Sequence, residues 1–348
     1  HKSDDLLARL PKAPAQKNGK KVALIGAGPA SLTVANDLMP LGYEVTIFEK
    51  FDRPGGLMRV NIPSFRLPPE VLNEEIAAIV DMGVDVRYNS PVESLEALLA
   101  TKEFDAVFVG SGAPKGKELE IPGRRDSDQI FIGIEWLESI HFGHVNSVGK
   151  RVVIIGVGNT AMDCCRSAKR LGATDVKVIA RKTRKYFKAS PWELEDAEEE
   201  GIHILENLQP VRFIIENGTL TGLEFDKFVS EEVNGKLVQT PAGREILPCD
   251  TVVLAIGQDN AFPWIERNIG LEFDKKWDMP VVDKKTFMST RPGVFFGGDA
   301  AFGPANIIWA VEHGHQAAIS VHQYCQDLPV TERPPDGMTL ASTKMGLH

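Results

Sequence analysis

Two stretches of the chain repeat one hydrophobic pattern. An unbroken apolar run, residues 22–25 in the first and 152–155 in the second, ends on a glycine turn and opens an amphipathic segment. The first reads KVALIGAGPASLTVANDL, with Gly26 and Gly28 in the turn; the second reads KRVVIIGVGNTAMDCCRSAKRLG, with Gly156 and Gly158 in the same places. A short run without polar interruption suits a strand buried on both faces of a parallel sheet. The pattern predicts a helix over 31–41 and a strand over 44–48 after the first turn. After the second it predicts a helix over 160–171 and a strand over 176–180, so both stretches are βαβ units.

Further along, Ser190 precedes Pro191 with Glu193 three residues on, the signature of a helix start capped by the serine side chain. The acids of ASPWELEDAEEEG read chiefly as a solvated helical face. Between 202 and 250 short alternating segments with turns at Asn217-Gly218 and Asn234-Gly235 predict a β-meander, inserted before a strand over 251–256. From about residue 284, VFFGGDAAFG and NIIWAVEHGHQAAISVHQY return the chain to its first unit. The predicted fold class is α/β, with two Rossmann-like three-layer dinucleotide-binding domains and a small β-meander. The expected division is a polar lead over 1–19, a discontinuous first domain over 20–127 plus 284–327, a second domain over 128–283, and a C-terminal extension over 328–348.

Composition narrows the partners. The 348 residues are 43% hydrophobic and contain no long uninterrupted apolar segment, so no membrane span is expected. A net charge of -9 disfavours nucleic acid. Cys164, Cys165, Cys249 and Cys325 form no CxxC and no cluster-ligand spacing, which fits a reducing, cytoplasmic setting and argues against a metal site built by this chain alone. No signal peptide is visible. Opening on His1 and closing on TLASTKMGLH, the sequence reads as an excerpt of a longer polypeptide.

Each glycine turn lets backbone N–H groups approach a pyrophosphate at a helix N-terminus, where a side chain would block it. Two such turns imply two nucleotide cofactors. The third glycine position holds Ser31 in the first and Ala161 in the second. Glu49 ends the second strand of the first unit, where a carboxylate accepts both hydroxyls of an adenosine ribose and selects an unphosphorylated 2′-OH. Aligned by strands, the second unit has Ala180 there, followed by Arg181, Lys182, Thr183, Arg184 and Lys185. Four cations in place of a carboxylate favour a 2′-phosphate and therefore NADP(H), with Arg181 as the principal contact; the alternative is a solvated basic loop beside NAD(H).

Taken together, GAGPASL, Glu49, PGGLMRVNIPSFRL, VFVGSGA, GVGNTAMDC, LAIGQ and GGDAAFGPANIIWAVEHGHQAA resemble the glutamate synthase small-subunit-like flavoproteins, from about residue 20 to 325. The resemblance implies a glutathione-reductase-like architecture with FAD on the first domain and NAD(P)H on the second. For FAD it implies Gly26, Gly28, Pro29, Ala30 and Ser31 at the turn, Glu49 and Lys50 at the strand end, and Gly55, Gly56 and Leu57 where the backbone passes close to the cofactor. Ile62 and Pro63, with Phe65, would lie near the flavin. Gly110, Ser111 and Gly112 follow another strand, Gly298 and Asp299 would hold the ribitol or pyrophosphate, and Asn306 and Ile307 open a helix whose N-terminal dipole favours negative charge on the reduced ring. For NAD(P)H it implies Gly156, Gly158, Asn159, Thr160, Arg181, Lys182, Ala255, Ile256 and Gly257.

No catalytic side chain and no metal ligand is expected, because positioning does most of the work in hydride transfer. Trp309, His313 and His315 are read as packing or contact residues. Cys164 and Cys165 are adjacent on a helix and point about 100° apart, which suits packing better than the redox pair of thioredoxin reductases. Glutamate synthase small subunits carry an N-terminal iron–sulfur domain, and nothing before Lys20 supplies one. The expected function is therefore an electron-transfer subunit. Hydride passes between NAD(P)(H) and FAD, and electrons pass between FAD and an iron–sulfur cluster of a partner subunit or domain in a larger complex, with no cluster bound by this chain. The IPSFRL, SPWELEDA and NIIWAVEHGH segments further resemble flavin subunits of multi-subunit 2-oxoacid (phenylglyoxylate-type) oxidoreductases. Two alternatives stand beside this: a self-sufficient NAD(P)H-dependent oxidoreductase acting on a small organic acceptor, and a non-catalytic FAD-containing assembly subunit.

Overall fold

The computed structural model describes residues 10–333; the ends of the polar lead and of the C-terminal extension lie outside the described residues. The chain begins with β1 (Lys21–Ile25), α1 (Pro29–Leu38), β2 (Glu44–Phe48), α2 (Pro69–Val80), β3 (Asp85–Arg87), α3 (Leu95–Ala100) and β4 (Ala106–Val109). It continues with β5 (Ile130–Ile132), α4 (Gly133–His141), β6 (Arg151–Ile155), α5 (Asn159–Arg170), β7 (Asp175–Ile179), α6 (Pro191–Glu199) and β8 (His203–Leu205). Then come β9 (Leu208–Glu216), β10 (Thr219–Val233), β11 (Lys236–Pro248), β12 (Thr251–Leu254), β13 (Val294–Phe296) and α7 (Ile307–Cys325). The expected first helix stops early, because Pro40 falls in a 3-10 turn over Met39–Leu41.

In the first unit, five parallel strands run in the order β13-β4-β1-β2-β3. Val22 and Leu24 face a core built with α1, α2 and α7, while Ala23 and Ile25 face a second core with Leu95, Phe262 and Leu271. Both sheet faces are covered, which is why β1 reads as continuous aliphatic sequence. Helices α1 and α7 meet closely at Gly314, where an added Cβ would press on the Ala30 carbonyl at 2.6 Å.

The second unit repeats the plan with parallel strands in the order β5-β12-β6-β7-β8. Val152 and Ile154 face α4, α5 and α6. Val153 and Ile155 face the antiparallel sheet β9-β10-β11, through Phe213, Leu223, Phe225 and Leu247. The meander is thus the third layer of this unit. Its two turns place Asn217, Gly218, Asn234 and Gly235 at positive φ, as the Asn-Gly pairs require.

The units divide the chain differently from the sequence expectation. Among the described residues, one holds 10–59, 64–114 and 260–333; the other holds Val60–Pro63 and Lys115–Asp259. Residues 115–127, expected in the first domain, belong to the second. Residues 115–116 pair antiparallel with 258–259, Leu119 and Ile121 pack on the meander core, and Phe213 N–H donates to Pro122 O at 2.9 Å. Residues 260–283, expected in the second, belong to the first, where Phe262 and Ile265 pack with Val107 and Val109 of β4.

Helix α6 also differs. Ser190 makes no side-chain cap; instead its backbone N–H donates to Asn159 Oδ1 at 2.9 Å. The acids are chiefly a solvated face, as expected, with Glu195, Asp196, Glu198 and Glu199 exposed, but not all of them face water. Glu193 is buried, and Arg166 of α5 reaches Glu193, Asp196 at 3.0 Å and Glu200 at 2.9 Å. A guanidinium buried at a helix–helix contact needs such partners, and α6 supplies them.

Candidate dinucleotide sites

The first site gathers at the carboxyl ends of β1, β2, β4 and β13. Gly26 (φ 87) donates to Phe48 O at 2.8 Å, Gly55 to Ala27 O at 2.9 Å, Gly110 to Ile25 O at 3.0 Å and Gly297 to Val109 O at 3.2 Å. A Cβ on Gly26 would stand 3.0 Å from Gly110 O, one on Gly56 3.0 Å from Gly28 Cα, and one on Gly298 3.2 Å from Ala30 Cβ. The glycines named from the sequence are therefore brought together. The glycine at position 28 has a different basis: its φ is -80°, and its Cβ would find nothing nearer than 3.8 Å. Its requirement is open space beside the N-terminus of α1, which has Pro29 in its first turn and no side-chain cap.

Glu49 is buried, with Oε2 accepting Ala27 N–H at 2.7 Å and Oε1 accepting Phe51 N–H at 2.9 Å. These donors fix the carboxylate and leave each oxygen a second lone pair. Lys50 is exposed, its Nζ 4.3 Å from the Phe51 ring centre. Ser31 Oγ and Ser111 Oγ are buried and reach no hydrogen-bond partner among the described residues. Asp299 accepts Ala305 N–H at 3.0 Å, and burial pushes its carboxyl up to about 6. Asn306 caps α7 by accepting Trp309 N–H at 3.1 Å, leaving Ile307 exposed. An uncapped helix start with free space, two orphaned hydroxyls and a fixed carboxylate suit a dinucleotide: N–H groups for its phosphates, hydroxyls and carboxylates for its sugar chain.

Gly112 lies beyond β4 at φ 71, and Leu57 opens a short helix over Leu57–Val60. Ile62 and Pro63 fall in the other unit, beside Asn61, whose Nδ2 donates to Ile134 O at 2.6 Å. Sequence reasoning missed Arg59. It lines a cleft of about 490 Å³ with Asp52, Arg53, Asn73 and Tyr88, donating to Pro54 O at 2.5 Å and Asn73 Oδ1 at 2.7 Å. A lone cation in the apolar segment after the glycine pair was the available cue. On α7, His315 Nδ1 meets Asp37 Oδ2 at 2.6 Å, and His313 packs between the Phe287 and Phe302 rings, where burial lowers its proton affinity.

The second site lies at the ends of β6, β7 and β12. Gly156 has φ 119, and a Cβ there would overlap the Ala255 carbonyl; around Gly158 a Cβ would meet nothing. Ala255 N–H donates to Ile155 O at 2.8 Å, and Gly257 (φ 125) accepts Lys117 N–H at 3.0 Å, with Ile256 between them. Asn159 and Thr160 start α5, which has no side-chain cap either. Val157 O accepts Lys188 and Ala189 N–H, at 3.1 and 2.9 Å, seating 188–190 against the turn, a neighbourhood the sequence did not reveal. Registers Ile25↔Phe48 and Ile155↔Ile179 make Glu49 and Ala180 equivalent, as aligned.

The basic run divides. Arg184 pairs with Glu198 and Lys185 with Glu232, at 2.9 and 2.6 Å. Arg181 and Lys182 are exposed; Lys182 Nζ lies 5.4 Å from the Tyr186 ring, and among the described residues no carboxylate is within ion-pair reach of Arg181. A dinucleotide fits here too, through the same free space and uncapped helix start.

A family model described as pyridine nucleotide-disulphide oxidoreductase matches residues 20–314. The chain belongs to that family. With it stands the expected enzyme class, an FAD-dependent NAD(P)H oxidoreductase, and the Rossmann-like fold. An NADP(+)-dependent formate dehydrogenase subunit beta of Moorella thermoacetica is 36% identical over 342 residues, 95% of this chain and 47% of the relative. A glutamate synthase (NADPH) small chain of Azospirillum brasilense is 32% identical over 340 residues, 91% of this chain and 69% of the relative. The family expectation from sequence is thereby met. The chain spans about half the length of the formate dehydrogenase subunit. Mycobacterium tuberculosis FprA in complex with NADPH has the same fold at a TM-score of 0.75 and 16% identity, covering 88% of this chain and 85% of that one.

Against the disulphide chemistry in the family's description, all four cysteines here are free and buried. Burial pushes Cys164 well above its usual value and Cys165, Cys249 and Cys325 up to about 12, so none is poised as a thiolate. Among the described residues no helix is long and apolar enough to cross a membrane.

Proposed function

We propose that the first unit holds FAD and the second NADP(H), and that the chain passes electrons between this pair and an iron–sulfur centre of a partner subunit or domain. The observation that carries the reading is the contrast at one register position. Glu49 offers a fixed, buried carboxylate to an unphosphorylated ribose, whereas Ala180 offers none and leads into the exposed Arg181 and Lys182. Bound FAD supplies hydride exchange with a nicotinamide and onward electron transfer. The protein's share is to bind and orient. Backbone N–H groups at Gly28 and Gly158 serve phosphates, Glu49 fixes the adenosine end of one cofactor, and Arg181 with Lys182 fixes that of the other.

The electron-transfer role is supported by relatives named as subunits or small chains of NADP(+)- and NADPH-dependent enzymes, and by thiols too buried to relay electrons as a dithiol. The decisive experiment compares kcat/KM for NADPH and NADH, with ferricyanide as acceptor, in the wild type and in Arg181→Ala. We expect NADPH to be preferred and the substitution to cut that preference by about tenfold, the worth of one charge-assisted hydrogen bond. A wild type that prefers NADH, with a ratio Arg181→Ala leaves unchanged, would sink the cofactor assignment.

A further inference from the structure

The outer half of the β10–β11 ribbon contributes nothing to the hydrophobic clusters of its unit. The cluster residues Leu223, Phe225 and Leu247 lie at its base. β9 pairs with β10 only as far as Lys227, and beyond that 228–233 and 236–241 form a two-stranded arm with Val229, Val233 and Val238 exposed. Such an arm is marginal on its own. What it does touch is the basic segment after β7.

Gln239 Nε2 donates to Arg181 O at 2.8 Å, and it also lies 3.2 Å from Ser230 Oγ and 3.4 Å from Asn207 Oδ1. Ser230 Oγ in turn donates to Asn207 Oδ1 at 2.5 Å. An amide nitrogen has two hydrogens. With one shared by Ser230 and Asn207, the other is aimed at Arg181 O, and the reversed amide would set its oxygen against two acceptors. Asn207 sits at positive φ (60°) between β8 and β9, where its backbone oxygen accepts Phe228 N–H at 3.0 Å. Just before the segment, Ala180 is held by both backbone groups, its N–H to Leu205 O at 2.8 Å and its O from Leu208 N–H at 3.1 Å. At the far end Glu232, also on the arm, holds Lys185 at 2.6 Å.

From this arrangement we infer that the β10–β11 arm is a splint for the nucleotide-selecting segment 181–185, with Gln239 as its principal positioning residue. The inference rests on the NADP(H) reading for its functional consequence but not for its structural one. Holding the Arg181 carbonyl and the Lys185 ammonium fixes the backbone from which Arg181 and Lys182 project, so less conformational freedom is lost when they close on a 2′-phosphate. NADH makes no such contact and gains nothing from the splint.

The test uses Gln239→Met, which keeps side-chain bulk and removes the donor, beside Arg181→Ala in the same protein. Two quantities are read: amide hydrogen exchange over 181–187 without nucleotide, and ferricyanide-coupled kinetics with NADPH and NADH. Gln239→Met should speed exchange in that segment and raise KM for NADPH about fivefold, the loss of one ordinary hydrogen bond, with kcat and the KM for NADH unchanged. Ser230→Ala, which leaves the second amide hydrogen only the longer contact to Asn207 Oδ1, should shift both quantities in the same direction by less. Unchanged exchange over 181–187 overturns the inference whatever the kinetics. Equal losses for NADPH and NADH overturn it as well, because they mark general damage to the unit. If Arg181→Ala leaves the NADPH to NADH ratio unchanged, the cofactor reading fails; faster exchange in Gln239→Met then still upholds the splint.

Discussion

Glu49 and Ala180 occupy the same place in two copies of one sheet, each one step past the paired ends of the first two strands. At position 49 a carboxylate lies between two backbone donors, so Glu49→Arg sets a cation against N–H groups in a buried place. The variant is expected to purify colourless while the wild type is yellow, and FAD retained at full stoichiometry would count against the assignment. Asp299 offers a pH test. Burial raises its folded pKa from 3.8 to about 6, so between those values the folded, FAD-free protein binds the extra proton and its stability rises as pH falls. Above about pH 6 the buried charge costs about 3 kcal/mol. Asp299→Asn removes that cost and can still accept from Ala305 N–H. In urea unfolding of the apoprotein it should be more stable than wild type by about that amount at pH 7, with the difference gone near pH 4. Equal stabilities at pH 7 would refute the buried-charge account.

At the scale of the strand–turn–helix element, the two glycines of a turn do different work. Gly156 has a positive φ and no room for a Cβ; Gly158 has ordinary extended backbone and empty space around it. Gly156→Ala should lower unfolding stability by about 2 kcal/mol or more. Gly158→Val should leave the thermal midpoint nearly unchanged while weakening nucleotide binding by at least about tenfold, since its branched side chain fills the approach to the helix N-terminus. Calorimetric titration beside thermal unfolding separates the two effects. Equal stability losses for both would show that Gly158 is structural too.

For the whole molecule the question is where electrons go. Anaerobic NADPH is expected to bleach the visible flavin band of the purified chain, whereas an assembly subunit would keep its colour. Iron and sulfide analysis should return less than one cluster equivalent. Cys164 and Cys165 on α5, Cys249 and Cys325 lie in separate places with thiols held protonated by burial, and cluster ligation needs thiolates that converge. A stoichiometric cluster retained without any partner would contradict this.

Both glycine turns, the strands beside them, the Asn-Gly turns of the meander and the helix start at Asn306 were legible in the sequence. Each depends on neighbours a few residues apart: an apolar run, a residue that tolerates positive φ, a cap. Contacts between distant residues left no such local mark. That Glu193 turns inward among the exposed acids of α6 was decided by Arg166 on another helix, and the backbone donors on Glu49 by the fold of its turn. The membership of 115–127 and 260–283 was decided by which core their apolar side chains could reach. The basic run shows the boundary most plainly. Its charge was visible in the sequence, but only the packed structure assigns Arg184 and Lys185 to carboxylates and, among the described residues, leaves Arg181 without one, because the partners Glu198 and Glu232 come from elements the local sequence does not contain.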